Sequence, residues 1–480
     1  MLCAERKQGL GAVRISAKEP LGLSVAASAT VTDGLPVPQR HWAFVAIALA
    51  TVISVLDATI GNIALPTIAR DLHVSAAASV WVIIAYQIAV IATLLPFASL
   101  GEIVGYRRVS LVGLCIFSLG AVAAASSHSL LTLSVSRIVQ GLGASAVLSV
   151  SGALVRFTYP HAMLGRALGM NAMVIAISAA AGPTWAASIL AFGDWRWLFG
   201  CEVPLSLAAL FLGWCVLPPS ESAPRRLNLG SALLNVSTFG FLITGAQAFV
   251  SGHDAWAAGP AVAAGLVAGA LLVKRELTEH LPLLPLDLMR NRIFRLSVGT
   301  SICCFIAQSL AFVSLPFDFQ VRLGYSVIQT GLLLTPWPLM IVAVAPFAGR
   351  FADRYSAGSM ATLGMVIFGI GMALLALIPL AATRLDIAWR MLVCGLGFAL
   401  FQAPNNRALL SAAPRSRSGA ASGMLSMARS LGSTAGAVGA AACLKASVSH
   451  GSTIALGSAS IIALVAAGFS SLRLIAVRTK

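Results

Sequence analysis

Charge is what this chain has least of. Asp, Glu, Lys and Arg make up 10% of its 480 residues, against about 25% in an average soluble domain. Hydrophobic residues reach 58%, and the mean hydropathy is +0.90. That balance excludes an ordinary soluble fold, and no stretch is polar enough to form a separate soluble domain. No "GxxxxGK[ST]" phosphate loop occurs, which removes ATP-driven pumping. The seven histidines, at 41, 73, 128, 161, 253, 280 and 450, are too scattered for a metal cluster. The eight cysteines lack metal-ligand spacing and read as small apolar packing residues, with no disulfides expected. Residues 1–40 have no apolar core followed by a cleavage site, so they read as a disordered cytoplasmic tail rather than a signal peptide.

Apolar runs are abundant. A bilayer core of about 30 Å requires roughly 20 apolar residues per helix, and the sequence supplies about fourteen such runs. They lie at 43–66, 79–100, 108–126, 130–154, 167–191, 196–217, 229–250, 256–273, 296–320, 327–350, 358–381, 387–411, 419–444 and 453–476. Gly and Pro punctuation separates neighbours, as in "LPPSESAPRR" at 217–226. The expectation is an all-α integral membrane protein.

The net charge of +16 invites a nucleic-acid reading, which its distribution rejects. With the N-terminus inside, most of the 32 basic residues fall in cytoplasmic segments, and only Arg70, Arg196, Arg322, Arg384 and Lys445 fall outside. This asymmetry follows the positive-inside rule, whereas a nucleic-acid face needs its charge gathered on one folded surface. An even number of spans returns the C-terminus to the cytoplasm, as expected for a multi-pass protein of the cell inner membrane. Arg137, Arg390 and Arg429 fall within spans.

The chain also repeats itself. "PFASLGE" at 96–102 recurs as "PFAGRFAD" at 346–353, "RIVQGLG" at 137–143 as "RMLVCGLG" at 390–397, and "GM" at 169 recurs at 423. The matches keep their order at an offset of about 250 residues. Two homologous six-helix halves, 41–217 and 286–480, therefore flank a central loop and two-helix insert at 218–285. Parallel halves related by an axis along the membrane normal are a transporter architecture.

Four motifs give this architecture a family. The chain resembles the fourteen-helix drug:proton antiporter branch of the major facilitator superfamily. "LDATIGNIALPTI" at 56–68 resembles that branch's first-span signature, and "LGEIVGYRR" at 100–108 the superfamily's loop between spans 2 and 3. "RIVQGLGA" at 137–144 is similar to its fourth-span motif, and "GDWRWLF" at 193–199 to the branch's approach to span 6. The resemblance implies two six-helix pseudo-repeat bundles plus two central helices, and alternating access between them.

Asp57 now has candidate chemistry. It lies about fourteen residues into its span, roughly 21 Å along a helix rising 1.5 Å per residue. An ionised acid at such depth is expensive, so the group holds a proton until water, a cation or a basic partner arrives. It suits proton coupling; the structural alternative is an Asp that pairs with a polar neighbour or supports irregular backbone before Pro66. Asn62 lies on the same span. Arg137 is the second intramembrane charge, with Gln140 one turn later, and the resemblance implies that this arginine faces the cavity and affects proton transfer. Its alternative role is a structural counter-ion, with Asp57 among the candidate partners. Glu202 in "CEVP" and Asp318 in "PFDFQ" are further candidate proton sites, or acids that snorkel to outside water. Span 13 carries no acid.

In the loop motif, Gly105 permits a tight turn, Glu102 caps a helix or pairs with a base, and Gly101, Arg107 and Arg108 complete the segment. The resemblance implies a cytoplasmic latch, repeated in the second half by Gly349, Asp353 and Arg354; a solvated turn is the alternative. Ala98, Glu102 and Ile103 depart from the usual pattern. Span 5 keeps Gly182 and Pro183 but has Ser178, Ala186 and Ala187 where the antiporter motif usually has glycine. Aromatic and amide residues, namely Trp81, Tyr86, Gln87, Trp185, Phe317, Gln320 and Trp337, suggest an apolar cavity for lipophilic cations. Each has helix packing as its alternative. Trp195 and Trp197 read as an interfacial belt.

The sequence thus predicts a proton-driven exporter of amphipathic, preferably cationic, drugs or biocides. It needs no metal and no cofactor beyond the proton gradient, and its partners are a lipophilic small molecule, protons and the lipid bilayer. A periplasmic adaptor or outer-membrane channel stays open as a further partner. A dedicated exporter of one metabolite or antibiotic, a weakly coupled facilitator, and a membrane sensor without turnover remain alternatives.

Overall fold

The computed structural model describes residues 34–160, 163–219, 228–251, 255–277, 287–354, 356–413, 418–447 and 450–478. Among these residues every regular element is helical. The first half comprises α1 (Gln39–Asp71), the short α2 (Ala76–Ser79), α3 (Trp81–Val104), α4 (Tyr106–Ala125), α5 (Leu130–Thr158), α6 (Leu164–Phe192), α7 (Arg196–Gly200) and α8 (Glu202–Val216). A central pair, α9 (Leu229–Ser251) and α10 (Ala255–Glu276), follows. The second half comprises α11 (Arg292–Phe317), α12 (Val327–Leu334), α13 (Pro336–Arg354), α14 (Ala357–Ala376), α15 (Arg384–Ser411), α16 (Ser418–Ala446) and α17 (Gly451–Arg478).

Twelve helical stretches among the described residues are long and apolar enough to cross a membrane. The expected number was about fourteen. The remaining two runs correspond to α6 and α16, helices of 29 residues each that stand outside the twelve. Two expected spans are broken near their N-terminal ends for local reasons. Pro336 has no N–H to donate, so α12 stops at Leu334 and α13 restarts after Thr335. Span 6 likewise divides at Cys201 into α7 and α8. The expected N-terminal tail is shorter at its inner end, because α1 begins at Gln39 and Leu35 N–H donates to Thr158 O at 3.0 Å. Residues 1–33 lie outside the described residues, as do 220–227, 252–254 and 278–286 of the expected central segment.

Large apolar side chains stay uncovered along outward helix faces, among them Leu119, Phe211 and Leu385. Water would penalise such faces and lipid does not, so with the twelve apolar helices they mark a multi-pass membrane protein.

Close backbone approach sets the register of the two halves. A Cβ on Gly141 would meet Tyr86 O at 2.6 Å, and one on Gly395 would meet the corresponding carbonyl of Trp337. Gly143 packs on the backbone of Phe117 just as Gly397 packs on that of Phe368. These matches confirm the repeat and correct one detail. With Gly141 aligned to Gly395, Arg137 corresponds to Met391 and Gln140 to Cys394. Arg390, which the sequence repeat pairs with Arg137, falls one residue out of register and bonds Asp386 at 3.0 Å.

The halves touch toward the face at which α1 ends. Thr184 and Thr335 hydroxyls share a 2.7 Å hydrogen bond, and the Gln320 amide donates to Ile63 O at 3.2 Å. The central pair packs on itself and reaches the first half through Asn235, whose amide donates to Ala92 O at 2.7 Å.

Candidate functional site

Five side chains from four helices converge inside the first half. Asp57 on α1 is 1% exposed, Arg137 on α5 is 1% exposed, and Gln140, one turn further along α5, is fully covered. Glu202, the first residue of α8, is 3% exposed, and so is Tyr86 on α3. Small residues let these helices close: a Cβ on Gly182 of α6 would collide with Thr59, two residues beyond Asp57, so α1 is held tightly against α6.

Arg137 organises the cluster. Its Nη1 donates to Asp57 Oδ1 and, at 2.7 Å, to Gln140 Oε1. Its Nε donates to Val82 O at 3.2 Å. Gln140 then passes the polarity on, its Nε2 donating to Glu202 Oε2 at 2.6 Å. The guanidinium lies 4.4 Å from the Tyr86 ring and 5.2 Å from the Phe199 ring. Such desolvated cation–π contacts contribute about 2 kcal/mol each at most. Tyr86 is itself fixed by donating its hydroxyl to Ser54 O at 3.1 Å.

Charge counting decides what this arrangement can do. Two carboxyl groups share one guanidinium in an interior where an unpaired charge is costly. Arg137 neutralises Asp57 directly and reaches Glu202 only through a neutral amide. Asp57 Oδ2 and Glu202 Oε1 accept no hydrogen bond. One added proton makes the cluster electrically neutral; losing it leaves one uncompensated negative charge.

The remaining predicted site residues lie elsewhere. Asp318 is buried, but it sits in the second half at the far face, held by Arg322 at 2.6 and 2.8 Å. Phe317 is buried beside it, and Trp337 is fully buried among Phe312 and Phe368, at 4.7 and 5.5 Å between ring centroids. Asn62, Gln87 and Gln320 are at least partly buried and each keeps an amide oxygen without a partner. Trp81 packs partly buried on the main apolar core. Trp185 is exposed on α6, away from the cluster.

Among the loop residues, Gly105 ends α3 and begins α4 at φ +97°, a conformation that favours glycine. Gly101 is packed against Tyr106 and Val150, Glu102 and Arg108 are exposed, and Arg107 donates to Trp214 O at 2.6 Å within its own half. Pro183 follows Gly182 inside α6, and its carbonyl lies 2.9 Å from where a Gly331 Cβ would stand. Gly349, Asp353 and Arg354 belong to the last turns of α13, where side chains lie outside the described residues.

Two features escaped the sequence. Phe199 supports Arg137 from within a motif that gave no sign of doing so. Trp195, expected in an interfacial belt, is instead 1% exposed and donates to Asp71 at 2.9 Å, whereas Trp197 is exposed as expected.

Comparison with known proteins agrees with the architecture. Residues 47–437 match the family model described as Major Facilitator Superfamily. The chain is 45% identical over 450 residues to the uncharacterized transporter YebQ of Escherichia coli, covering 93% of this chain and 98% of that one. It is 28% identical to the riboflavin transporter RibZ of Clostridioides difficile, over 82% of this chain and 86% of that one. Identity to the multidrug resistance protein Stp of Mycobacterium tuberculosis is 30%, over 82% and 73%. A bacterial homolog of the human lysosomal transporter Spinster, solved in an inward-facing and unoccupied conformation, shares the fold with a TM-score of 0.63 at 14% identity. That match covers 91% of this chain and 97% of that one. The chain belongs to the major facilitator superfamily of membrane transporters, and its relatives include multidrug resistance proteins, as its motifs imply.

Proposed function

We propose that this protein is a proton-driven exporter of amphipathic aromatic small molecules across the bacterial inner membrane. Fourteen spans place both termini in the cytoplasm, in keeping with the basic residues gathered there. The observation that carries the proposal is the buried chain Asp57–Arg137–Gln140–Glu202, in which two acids share one base.

Glu202 carries the exchangeable proton on its unpartnered oxygen, while Asp57 stays paired with Arg137. When the proton leaves, the second carboxylate competes for Arg137 through Gln140. That competition loosens α1 and α5 from one another, and the two halves rock to open the other face. The cargo class draws on relatives named for riboflavin and multidrug resistance.

Everted membrane vesicles loaded with ethidium or fluorescein test this. Asp57→Asn and Glu202→Gln, at equal membrane abundance, each abolish transport against a dye gradient while leaving dye-for-dye exchange. Uphill transport that survives both substitutions together contradicts the proposal.

A further inference from the structure

A second membrane-buried charge has a different setting. Arg429 lies on α16, eleven residues after Ser418, hence about 17 Å into the helix at 1.5 Å per residue. This is near the middle of a bilayer core about 30 Å thick, far below the reach of lipid headgroups. Its guanidinium carbon stands 5.4 Å from the Phe305 ring on α11. No ion pair to a carboxylate is found for it among the described residues, and its buried Nε has no hydrogen-bond partner. Arg137, by contrast, spends its donors on Asp57, Gln140 and Val82 O.

Arg429 does not point at lipid. Between Ala421 and Leu444, Ala435 is the one exposed residue among the described side chains of α16, and the helix is enclosed by α3, α9, α11 and α17. Gly432 and Gly436 seat its neighbouring turns directly on α11, where a Cβ would meet Phe305 and Ser309 Cβ at 2.7 Å. Arg429 is partly exposed, on a helix that packs against α3 of the first half as well as α11 and α17 of the second. Helices α3 and α16 run antiparallel and meet at Leu95 and Gly423. Counting up both helices sets Gln87, with its free amide oxygen, within about 3 Å of the depth of Arg429.

A guanidinium at membrane depth with a buried, unpartnered Nε and no acid is a half-made interaction, and its planar donors match a carboxylate. An acceptor on Gln87 and the ring of Phe305 add places for an N–H and an aromatic face. We propose that Arg429 is the anion-recognition residue of the transport path, and that the cargo is an aromatic molecule bearing a carboxylate. This rests on the export reading above, and it reverses the expected preference for cations: the acid that would have received a cation, Asp57, is occupied by Arg137.

Equilibrium binding to the purified full chain in nanodiscs tests this without any proton gradient, so failure of energy coupling leaves the result untouched. The probes are fluorescein, an aromatic carboxylate, and rhodamine 6G, an esterified cation on the same ring system, both followed by fluorescence anisotropy. The wild type binds fluorescein more tightly than rhodamine 6G. Arg429→Gln weakens fluorescein binding by about tenfold or more and leaves rhodamine 6G within about twofold, and Arg429→Lys recovers most of the loss. Tighter binding of rhodamine 6G to the wild type, no binding of fluorescein, or equal weakening of both dyes by Arg429→Gln overturns the proposal. The comparison of dyes on the wild type needs no variant, so it holds even if Arg429→Gln fails to fold.

Discussion

The two halves place opposite chemistry on one scaffold. Around Gly141 and Gly143 the first half buries Arg137, Gln140 and Tyr86 with Asp57 and Glu202. Around Gly395 and Gly397 the second half buries Met391, Cys394, Trp337 and Phe368, joined by Phe305 and Phe398 at 5.8 Å between centroids. The helix crossings are kept because they depend on missing Cβ atoms and backbone contact. Side chains pointing inward from those crossings are free to diverge. One bundle therefore buries a polar network in which two acids share one base, while the other packs an aromatic and thioether cluster around the same crossings.

Carrying the second half's residue into the first breaks this contrast most severely. Arg137→Met leaves two acids without a base, and removing one partner of a buried pair costs about 3–5 kcal/mol. Thermal unfolding in detergent should show that loss at neutral pH, with uphill transport absent. Acidification should restore part of the stability, because protonating both acids removes the uncompensated charge.

Next in size is a symmetric pair. Gly143→Leu and Gly397→Leu each push a side chain into helix backbone, a cost of about 1–3 kcal/mol or more for overpacking. Similar losses of melting temperature in both variants support a shared scaffold; a large loss in one alone denies it. The smallest effect is expected at Asp318. It is buried but pairs with a partly exposed Arg322 four residues along the chain, and solvent screening at the arginine limits such a pair to about 1 kcal/mol. Asp318→Asn should change stability by no more than that and leave proton-driven transport intact.

Much of the fold is legible in the sequence, because lipid demands apolar runs of fixed length and Gly and Pro punctuate them. The depths of Asp57 and Arg137 are legible for the same reason. Their contact is not, since it depends on how α1 and α5 rotate against each other, which hydropathy does not encode. Glu202 and Asp318 look alike as acids near span ends. Spacing alone could have separated them, because Arg322 stands four residues after Asp318 on one helix face, while Glu202 has no such neighbour and must find its partner across the bundle. The GLG triplets at 141–143 and 395–397 already set Arg390 one residue out of register with Arg137, and the glycine contacts bear that register out.

The central claim is that Glu202, and not Asp57, holds the exchangeable proton. Infrared difference spectroscopy of the carbonyl stretch of protonated carboxylic acids measures this directly in the purified protein at neutral pH. The account predicts a band that shifts when the glutamate carboxyls carry carbon-13, stays in place when the aspartate carboxyls do, and disappears in Glu202→Gln. A band that shifts with labelled aspartate and not with labelled glutamate contradicts it.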